Sequence, residues 1–415
     1  MRVMPDAARP GRAGDRSSRR ARRRWSAVGL VAAVVALLVC VPGVPGHHQA
    51  YLLGDLAASD AGVALTRSVP FRGHEPTRPC EMLESKYEMN NHLLRDHNVG
   101  WYGSIWSSYQ MLNALYVTSL LPGGTSCRAD LGRNVAAINA FYWDTSYRGS
   151  PAAFDQGPAA IHFHPDPPRV DDSLWMGLAL DREYVATGRP AYLRRAEAVF
   201  RMAIANWDPR GGGIYWKNHT DGGRDYQKAA VSNAPATVLG AALYAQTGQP
   251  GYLTWSARIV NWLQGHLLDP QAGLYDDHIG DNSRPTTIDT DKLTYVQGVM
   301  VGALAALATV DPAHHPLTDA VQLADRAMAY FSTHHSYGNP AWDAIWSQYV
   351  LWAAGLDHDP GFAHEARASV ALARSVDPTD SGDLLFRGAE TELGALARLP
   401  SAEYPRLSDV RGPSG

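Results

Sequence analysis

The strongest constraint on the fold is a helical turn motif that occurs twice in the middle of the chain. Residues 187–193 read Thr-Gly-Arg-Pro-Ala-Tyr-Leu, and residues 247–253 read Thr-Gly-Gln-Pro-Gly-Tyr-Leu, an offset of 60 residues. A second match follows each copy, because residues 208–215 and 269–275 both run from Asp-Pro to a Gly-Ile-Tyr or Gly-Leu-Tyr sequence. A repeated helical hairpin cannot bury its apolar face alone, so the copies must stack on one another.

Apolar residues recur at three- and four-residue spacing from about residue 81 to about residue 398, with little strand-like alternation. The spacing predicts helices near 81–97, 103–120, 127–142, 172–187, 190–206, 228–247, 250–267, 292–309, 316–334, 341–356, 361–374 and 384–398. Helices with one apolar stripe alternate with helices that are apolar almost all round. Six outer and six inner helices in alternation predict an all-α (α/α)6 barrel, in one domain over residues 79–400.

The first 46 residues have the character of an export leader. Nine arginines precede an apolar run, Ala27–Val41, which Pro42 ends. A basic region followed by about 15 apolar residues is typical of a signal peptide, and a retained N-terminal membrane anchor is the alternative. We therefore expect an exported protein, extracellular or in the cell envelope, with a linker over residues 47–78 and a disordered tail over residues 401–415.

Charge narrows the class of partner. The leader carries +7, while the whole chain carries −4, so the remainder carries −11. Phosphate binding needs a basic face, and an acidic body therefore argues against nucleic acid as a partner. We expect a monomer that contacts a membrane only through an N-terminal anchor.

Cys80 and Cys127 are the only cysteines outside the leader. Two cysteines in an exported protein are expected to pair, so we predict a disulfide between them. Two buried free thiols are the alternative.

Two consecutive carboxylates, Asp171 and Asp172, stand at the start of an apolar helical run that continues through Trp175. One interpretation is a helix N-cap, in which Asp171 caps the first turn and Asp172 lies at the positive end of the dipole. Adjacent carboxylates also raise each other's cost of ionisation, and two carboxyls with separated pKa values are what glycoside hydrolysis requires. The pair is therefore a candidate catalytic site.

Polar and aromatic residues recur where the predicted inner helices begin. These helices are all entered from one side, so their N-terminal ends should gather on one face of the barrel. The chain has 12 Trp and 19 Tyr but only 8 Phe, and flat rings with a polar edge stack on sugar faces. The candidate substrate-binding residues on this face are Trp101, Trp106, Tyr215, Trp216, Ser232, Asn233, Tyr295 and Gln297.

No cofactor or metal is predicted. An acidic stretch that begins at Asp276-Asp277 could hold calcium, but it lacks the EF-hand spacing and its central glycine, which favours a solvated loop. Phosphate loops, Ser-His-Asp motifs and zinc-helix motifs are absent from the sequence.

Four motifs over about residues 100–310 together resemble glycoside hydrolase family 76, whose characterised members are endo-α-1,6-mannanases. They are Asp-Asp-Ser-Leu-Trp at 171–175, Gly-Gly-Gly-Ile-Tyr-Trp at 211–216, Lys228 through Asn233, and Tyr-Val-Gln-Gly at 295–298. The resemblance implies an (α/α)6 barrel that hydrolyses α-1,6-mannosidic linkages with retention of configuration. It also implies that Asp171 is the nucleophile and Asp172 the general acid/base.

Two other classes of function stay open at this point. Another (α/α)6 carbohydrate enzyme, such as a lyase, an unsaturated-uronyl hydrolase or an epimerase, would use His, Tyr or Arg near the cleft. A non-catalytic glycan-binding or cell-wall assembly protein would bind oligosaccharide unchanged. Such a protein has no need of two adjacent acids, which favours the hydrolase.

Overall fold

A computed structural model describes residues 79–98, 101–145, 150–160, 167–218, 226–281, 284, 286–334, 337–375 and 384–399. These residues lie within one of the two units of the chain, Val63–Gly415. The predicted leader (1–46), linker (47–78) and tail (401–415) lie outside the described residues. None of the helices in the described part of the chain is both long enough and apolar enough to cross a membrane.

Twelve helices occur in the described part of the chain. They are α1 (Pro79–Tyr87), α2 (Ile105–Ser119), α3 (Thr125–Phe141), α4 (Val170–Thr187), α5 (Pro190–Ala205), α6 (Ala230–Thr247), α7 (Pro250–His266), α8 (Thr294–Val310), α9 (Leu317–His334), α10 (Pro340–Asp357), α11 (Pro360–Ser375) and α12 (Leu384–Leu396). Most bounds agree with the predicted ranges to within three residues.

Short strands connect the helices. They are β1 (Arg95–Asp96), β2 (Trp101–Tyr102), β3 (Trp143–Asp144), β4 (Ala153–Phe154), β5 (Lys228–Ala229), β6 (Leu268–Asp269), β7 (Leu274–Tyr275), β8 (His278–Ile279) and β9 (Ile288–Asp289). The antiparallel pairs are β1–β2, β3–β4, β6–β7, β5–β8 and β8–β9. These strands are two residues long, too short to produce a visible alternation of apolar residues in the sequence.

The even-numbered helices form a closed inner ring. α2 packs on α4, α4 on α6, α6 on α8, α8 on α10, α10 on α12, and α12 returns to α2. The odd-numbered helices α3, α5, α7, α9 and α11 pack outside α2, α4, α6, α8 and α10 respectively. The predicted (α/α)6 barrel is confirmed, and the large side chains Trp175, Phe331, Trp346 and Tyr349 are fully buried within it.

The repeated turn motif joins an inner helix to the next outer helix. α4 ends at Gly188 and α6 ends at Gly248, both with φ of 67°. A left-handed residue at this position is the usual helix stop, and glycine adopts it without steric cost. Pro190 and Pro250 then occupy the first turn of α5 and α7, where the missing N–H is not needed.

The first helix is shorter than predicted. α1 ends at Tyr87 rather than near residue 97, because Asn91 accepts a hydrogen bond from the Leu93 backbone N–H at 3.2 Å and His92 takes a left-handed φ of 61°. This local turn competes with helical backbone bonding. Cys80 and Cys127 form the predicted disulfide, with Cα atoms 5.3 Å apart, and so tie α1 to α3.

Candidate active site

Three inner helices each hold the hairpin that precedes them through one polar side chain. In each case this side chain bonds both the N–H and the C=O of a single hairpin residue. The pairs are Ser173 with Phe154 (3.1 and 3.5 Å), Asn233 with Ile214 (2.8 and 3.1 Å) and Gln297 with Tyr275 (2.9 and 2.7 Å). We call these three contacts the clasps.

Two residues beyond each clasped residue, the chain caps a neighbouring inner helix. Here a backbone carbonyl accepts a hydrogen bond from the first N–H of that helix, satisfying a group that the helix itself leaves unpaired. The carbonyls of Gln156, Trp216 and Asp277 bond the N–H groups of Ile105, Val170 and Ala230, at 3.0, 2.8 and 2.8 Å. Gln156, Trp216 and Asp277 therefore occupy equivalent positions in three successive hairpins.

This equivalence corrects the register of the sequence repeat. The motif comparison aligned Ile214 with Leu274, at an offset of 60 residues. In the structure, the backbone N–H groups of Gly212 and Gly273 donate to the backbone carbonyls of Asp208 and Asp269 respectively. In this register Ile214 is the counterpart of Tyr275, and each is clasped by the following inner helix. The two turns have equal length, and the offset changes from 60 to 61 before them, because outer helix α7 has 17 residues where α5 has 16.

The glycine-rich turn of residues 211–213 is required by an outer helix. Gly212 and Gly213 have φ of 71° and 78°, and a Cβ atom on Gly213 would come within 2.4 Å of the Trp262 ring. The Trp262 indole N–H also donates to the Gly211 carbonyl at 3.0 Å. Only glycine combines this backbone conformation with such close contact, so Trp262 fixes the shape of the hairpin that carries Tyr215 and Trp216.

Asp171 and Asp172, together called the dyad below, lie in the first turn of α4. The helix begins at Val170, and its N-cap position is occupied by Arg169, which makes no side-chain cap hydrogen bond within the described structure. The interpretation of Asp171 as the N-cap is therefore wrong. Both carboxyls instead lie within the first turn, as the second and third residues of the helix, where the positive end of the dipole favours negative charge.

The environment of the two carboxyls raises both pKa values. Asp172 is only 7% exposed, and burial raises its pKa to about 6, partly offset by a hydrogen bond from Gln156 and by the charge of Arg169. Burial and the neighbouring charge of Asp172 raise the pKa of Asp171 well above its usual range. Asp171 Oδ1 is buried and has no hydrogen-bond partner among the described residues. Two adjacent carboxyls that raise each other's cost of ionisation titrate as a pair and lose their two protons in separate steps.

Gln156 is a site residue that the sequence did not reveal. Its side-chain Nε2 donates to Asp172 Oδ2 at 2.7 Å, across 16 residues of chain. A glutamine in a connecting segment carries no sequence signal of this kind. The spacing from the clasped residue Phe154 becomes informative only when the three hairpins are compared.

Tyr215 and Trp216 lie half-buried on the hairpin next to the dyad. The Arg169 guanidinium stands 4.5 Å from the centroid of the Trp216 ring, and the Lys228 ammonium stands 5.2 Å from the centroid of the Tyr215 ring. Lys228 also bonds the Asp208 carboxylate at 2.7 Å. Arg169 thus holds the Trp216 ring beside the start of α4, and Lys228 holds the Tyr215 ring beside the start of α6.

Tyr295 links the dyad to the acidic stretch at Asp276 and Asp277. Its hydroxyl donates to Asp277 Oδ1 at 3.1 Å, and its ring stacks on Trp342 with centroids 5.2 Å apart. Burial, followed by the charges of Asp277 and Asp171, raises the pKa of Tyr295 well above its usual range. The prediction of a solvated loop is wrong for Asp276, which is buried and bonded to Lys292.

The two remaining aromatic candidates differ in exposure. Trp101 on β2 is 60% exposed and contacts Tyr102 edge to face. Trp106 in the first turn of α2 is half-buried, and its ring lies 6.3 Å from both Tyr109 and Trp175. Trp101 keeps its surface available for a ligand, whereas much of Trp106 is packed against the core.

Ser232, Asn233 and Gln297 do not offer surface to a ligand. All three side chains are fully buried, and their polar atoms bond hairpin and strand backbone. The prediction that they bind substrate directly is replaced by a positioning role, because a buried amide that satisfies two backbone groups has no surface left to offer. A polar residue at the start of a buried helix gives the same sequence signal in either role.

Within the described ranges, no three His, Cys, Asp or Glu side chains converge closely enough to hold a metal ion.

The sequence profile of glycosyl hydrolase family 76 matches residues 162–349, which include α4 through the first half of α10. The matched stretch, called the family-76 region below, is just under half of the chain. The family-76 region contains the dyad, two of the three clasps in full and the helix that carries Tyr295, while Gln156 lies just before it.

Curated relatives match part of this chain. A mannan endo-1,6-alpha-mannosidase of Candida glabrata is 31% identical over 148 residues, covering 33% of this chain and 33% of the relative. A mannan endo-1,6-alpha-mannosidase of Saccharomyces cerevisiae is 32% identical over 147 residues, covering 32% of this chain and 31% of the relative. The chain thus spans about a third of the length of the curated relatives it matches.

Solved structures share the fold. The family-76 mannosidase Bt3792 of Bacteroides thetaiotaomicron superposes with a TM-score of 0.64 at 20% identity, over 76% of this chain and 94% of that chain. An α-1,6-mannanase of Salegentibacter sp. HEL1_6 superposes with a TM-score of 0.62 at 20% identity, over 76% of this chain and 96% of that chain. That second structure is an inactive variant with two consecutive aspartates replaced by asparagine, in complex with α-1,6-mannotriose.

Proposed function

We propose that this protein hydrolyses α-1,6-mannosidic linkages in a mannan-type polysaccharide and retains the configuration of the cleaved sugar. The observation that carries the proposal is the dyad, two adjacent carboxyls in the first turn of inner helix α4 whose pKa values are both raised. When such a pair has lost one of its two protons, it provides one carboxylate and one carboxylic acid, which is the state that a double displacement needs.

The roles of the two carboxyls follow the family resemblance. Asp171 attacks the anomeric carbon while Asp172 gives its proton to the departing glycosidic oxygen, so the C–O bond breaks as the Asp171 ester forms. Water then attacks the same carbon, loses its proton to Asp172 and releases Asp171. The raised pKa values belong to the pair, and in the reacting state the proton is on Asp172 and the negative charge on Asp171.

The substrate class is inferred from the named relatives. The curated proteins that match the family-76 region are named mannan endo-1,6-alpha-mannosidases. The half-buried rings of Tyr215 and Trp216 and the exposed ring of Trp101 provide flat surfaces of the kind that stack on sugars. An α-1,6-linked mannan is therefore the polymer that we expect to be cleaved.

Export belongs to the same proposal. The arginine-rich start followed by an apolar run is typical of an export signal, and the disulfide between Cys80 and Cys127 fits an oxidising compartment. A polymeric mannan substrate would be met outside the cytoplasm.

The test is a digest of purified, unbranched α-1,6-mannan by the wild type, Asp171→Asn and Asp172→Asn, followed by mass analysis of the products. Wild type should release mannose or manno-oligosaccharides, and each variant should lose at least about 1,000-fold in turnover while keeping its circular dichroism spectrum. Full activity of Asp171→Asn would refute the assignment. Products that contain an unsaturated sugar would indicate a lyase, and binding without any release would indicate a glycan-binding protein.

A further inference from the structure

Gln156 lies between two inner helices and is held from both sides. Its backbone carbonyl accepts the first N–H of α2, from Ile105, at 3.0 Å. Its side-chain Nε2 donates to Asp172 Oδ2 in α4 at 2.7 Å. Two residues earlier, Phe154 is clasped by Ser173 of α4, so the hairpin and the dyad helix are joined at two points.

The groups that face Asp172 come from two directions. Asp171, in the same turn, supplies a negative charge when it is ionised, and Arg169 at the helix start supplies a positive charge. Tyr295 of α8 is close enough to interact electrostatically with Asp171. From the hairpin, Gln156 supplies a neutral donor to one carboxyl oxygen. A hydrogen bond to one oxygen fixes the plane of a carboxyl and therefore the direction of the other oxygen.

We propose that Gln156 is a positioning residue for the acid/base carboxyl: its side-chain amide holds Asp172 in the orientation that proton transfer to and from the glycosidic oxygen requires. This inference rests on the proposed function. It assigns a role to a residue that lies outside the family-76 match and that only the comparison of hairpins singles out. Trp216 and Asp277, the counterparts of Gln156, bring an aromatic ring and a carboxylate to the equivalent positions of the next two hairpins.

The bond also acts on the proton affinity of Asp172. A donor favours the ionised carboxylate, and here it opposes the effect of burial. Removing the donor should therefore raise the pKa of Asp172, whereas a residue that only stabilises the fold would leave this pKa unchanged.

The test compares wild type with Gln156→Met, which keeps the length of the side chain but removes the donor. The control is Gln271→Met, the same change at an exposed hairpin glutamine. With α-1,6-mannan as substrate, Gln156→Met should lower kcat by about tenfold to 100-fold with little change in KM, because the proton donor loses its orientation rather than the substrate its binding site. The limb of the pH–rate profile that reports Asp172 should move up by about 1 pH unit.

A second readout does not depend on turnover. Carboxyl ¹³C NMR of protein labelled at aspartate, assigned with Asp172→Asn, follows the titration of Asp172 directly. The pKa should rise by about 1 unit in Gln156→Met and stay constant in Gln271→Met. An unchanged Asp172 titration, or an unchanged pH profile with unchanged kcat, would overturn the role of Gln156. Failure of the wild type to cleave mannan would instead refute the proposed function, and the NMR titration would still decide whether Gln156 acts on Asp172.

Discussion

Replacement of Asn233 by alanine should destabilise the protein and slow the reaction, although Asn233 has no exposed surface. The side chain bonds the N–H and C=O of Ile214 and also donates to the Ala229 carbonyl at 2.8 Å. Alanine leaves the buried Ile214 N–H without its acceptor and removes one donor from the Ile214 and Ala229 carbonyls, which keep the Ser232 hydroxyl. An unpaired buried group costs about 1–3 kcal/mol. Local relaxation will recover part of this, so we expect a loss of about 3 kcal/mol.

For a chain of this size, a loss of about 3 kcal/mol corresponds to a fall of roughly 5 °C in Tm. Differential scanning calorimetry measures the fall, with the exposed Asn98→Ala as the control that should leave Tm unchanged. Asn233→Asp should also destabilise the protein, because the carboxylate keeps an acceptor for the Ile214 N–H but is fully buried and cannot donate to the Ile214 and Ala229 carbonyls. Since Asn233 holds the hairpin of Tyr215 and Trp216, kcat/KM on mannan should also fall. An Asn233→Ala protein with wild-type Tm and wild-type kcat/KM would refute the positioning role.

Three further predictions concern the dyad and the disulfide. Because the pKa of Asp172 is raised to about 6, the folded state binds more protons than the unfolded state between about pH 4 and pH 6, and stability falls as pH rises through that window. Asp172→Asn should therefore raise Tm at pH 7 but not at pH 4, and an equal change at both pH values would contradict the assignment. In azide, Asp171→Ala should form β-mannosyl azide and Asp172→Ala should form α-mannosyl azide from an activated α-mannoside; the reverse pattern, read by NMR, would exchange the two roles. Cys80→Ser should lose up to about 4 kcal/mol in chemical denaturation, the chain-entropy value for a separation of 47 residues, and loss of less than about 1 kcal/mol would show that the crosslink matters little.

The fold was predictable because its signals are local and periodic. The repeated turn places Gly188 and Gly248 at helix ends and Pro190 and Pro250 at helix starts, and each of these residues acts through its own backbone conformation. The helix lengths follow from apolar periodicity in the same way. The exception is α1, where an asparagine side chain and one left-handed residue end the helix ten residues early.

The site was predictable only where chemistry requires residues that are neighbours in sequence. Asp171 and Asp172 are consecutive, so the pair is visible without any structure. Asn233 and Gln297 mark the correct end of the barrel, but a buried amide that clasps a hairpin cannot be told from an amide that binds a ligand. The Gln156 side chain donates a hydrogen bond to Asp172 across 16 residues of chain, and no rule of sequence spacing specifies that contact.

The configuration of the first product tests the central claim most directly. Time-resolved ¹H NMR during a digest of α-1,6-mannan follows the anomeric signals of the newly released reducing end before mutarotation. A double displacement through Asp171 and Asp172 predicts that the α-anomer appears first and that the β-anomer grows in later. If the β-anomer appears first, the two carboxyls activate water for a single displacement, and the proposed covalent step at Asp171 is wrong.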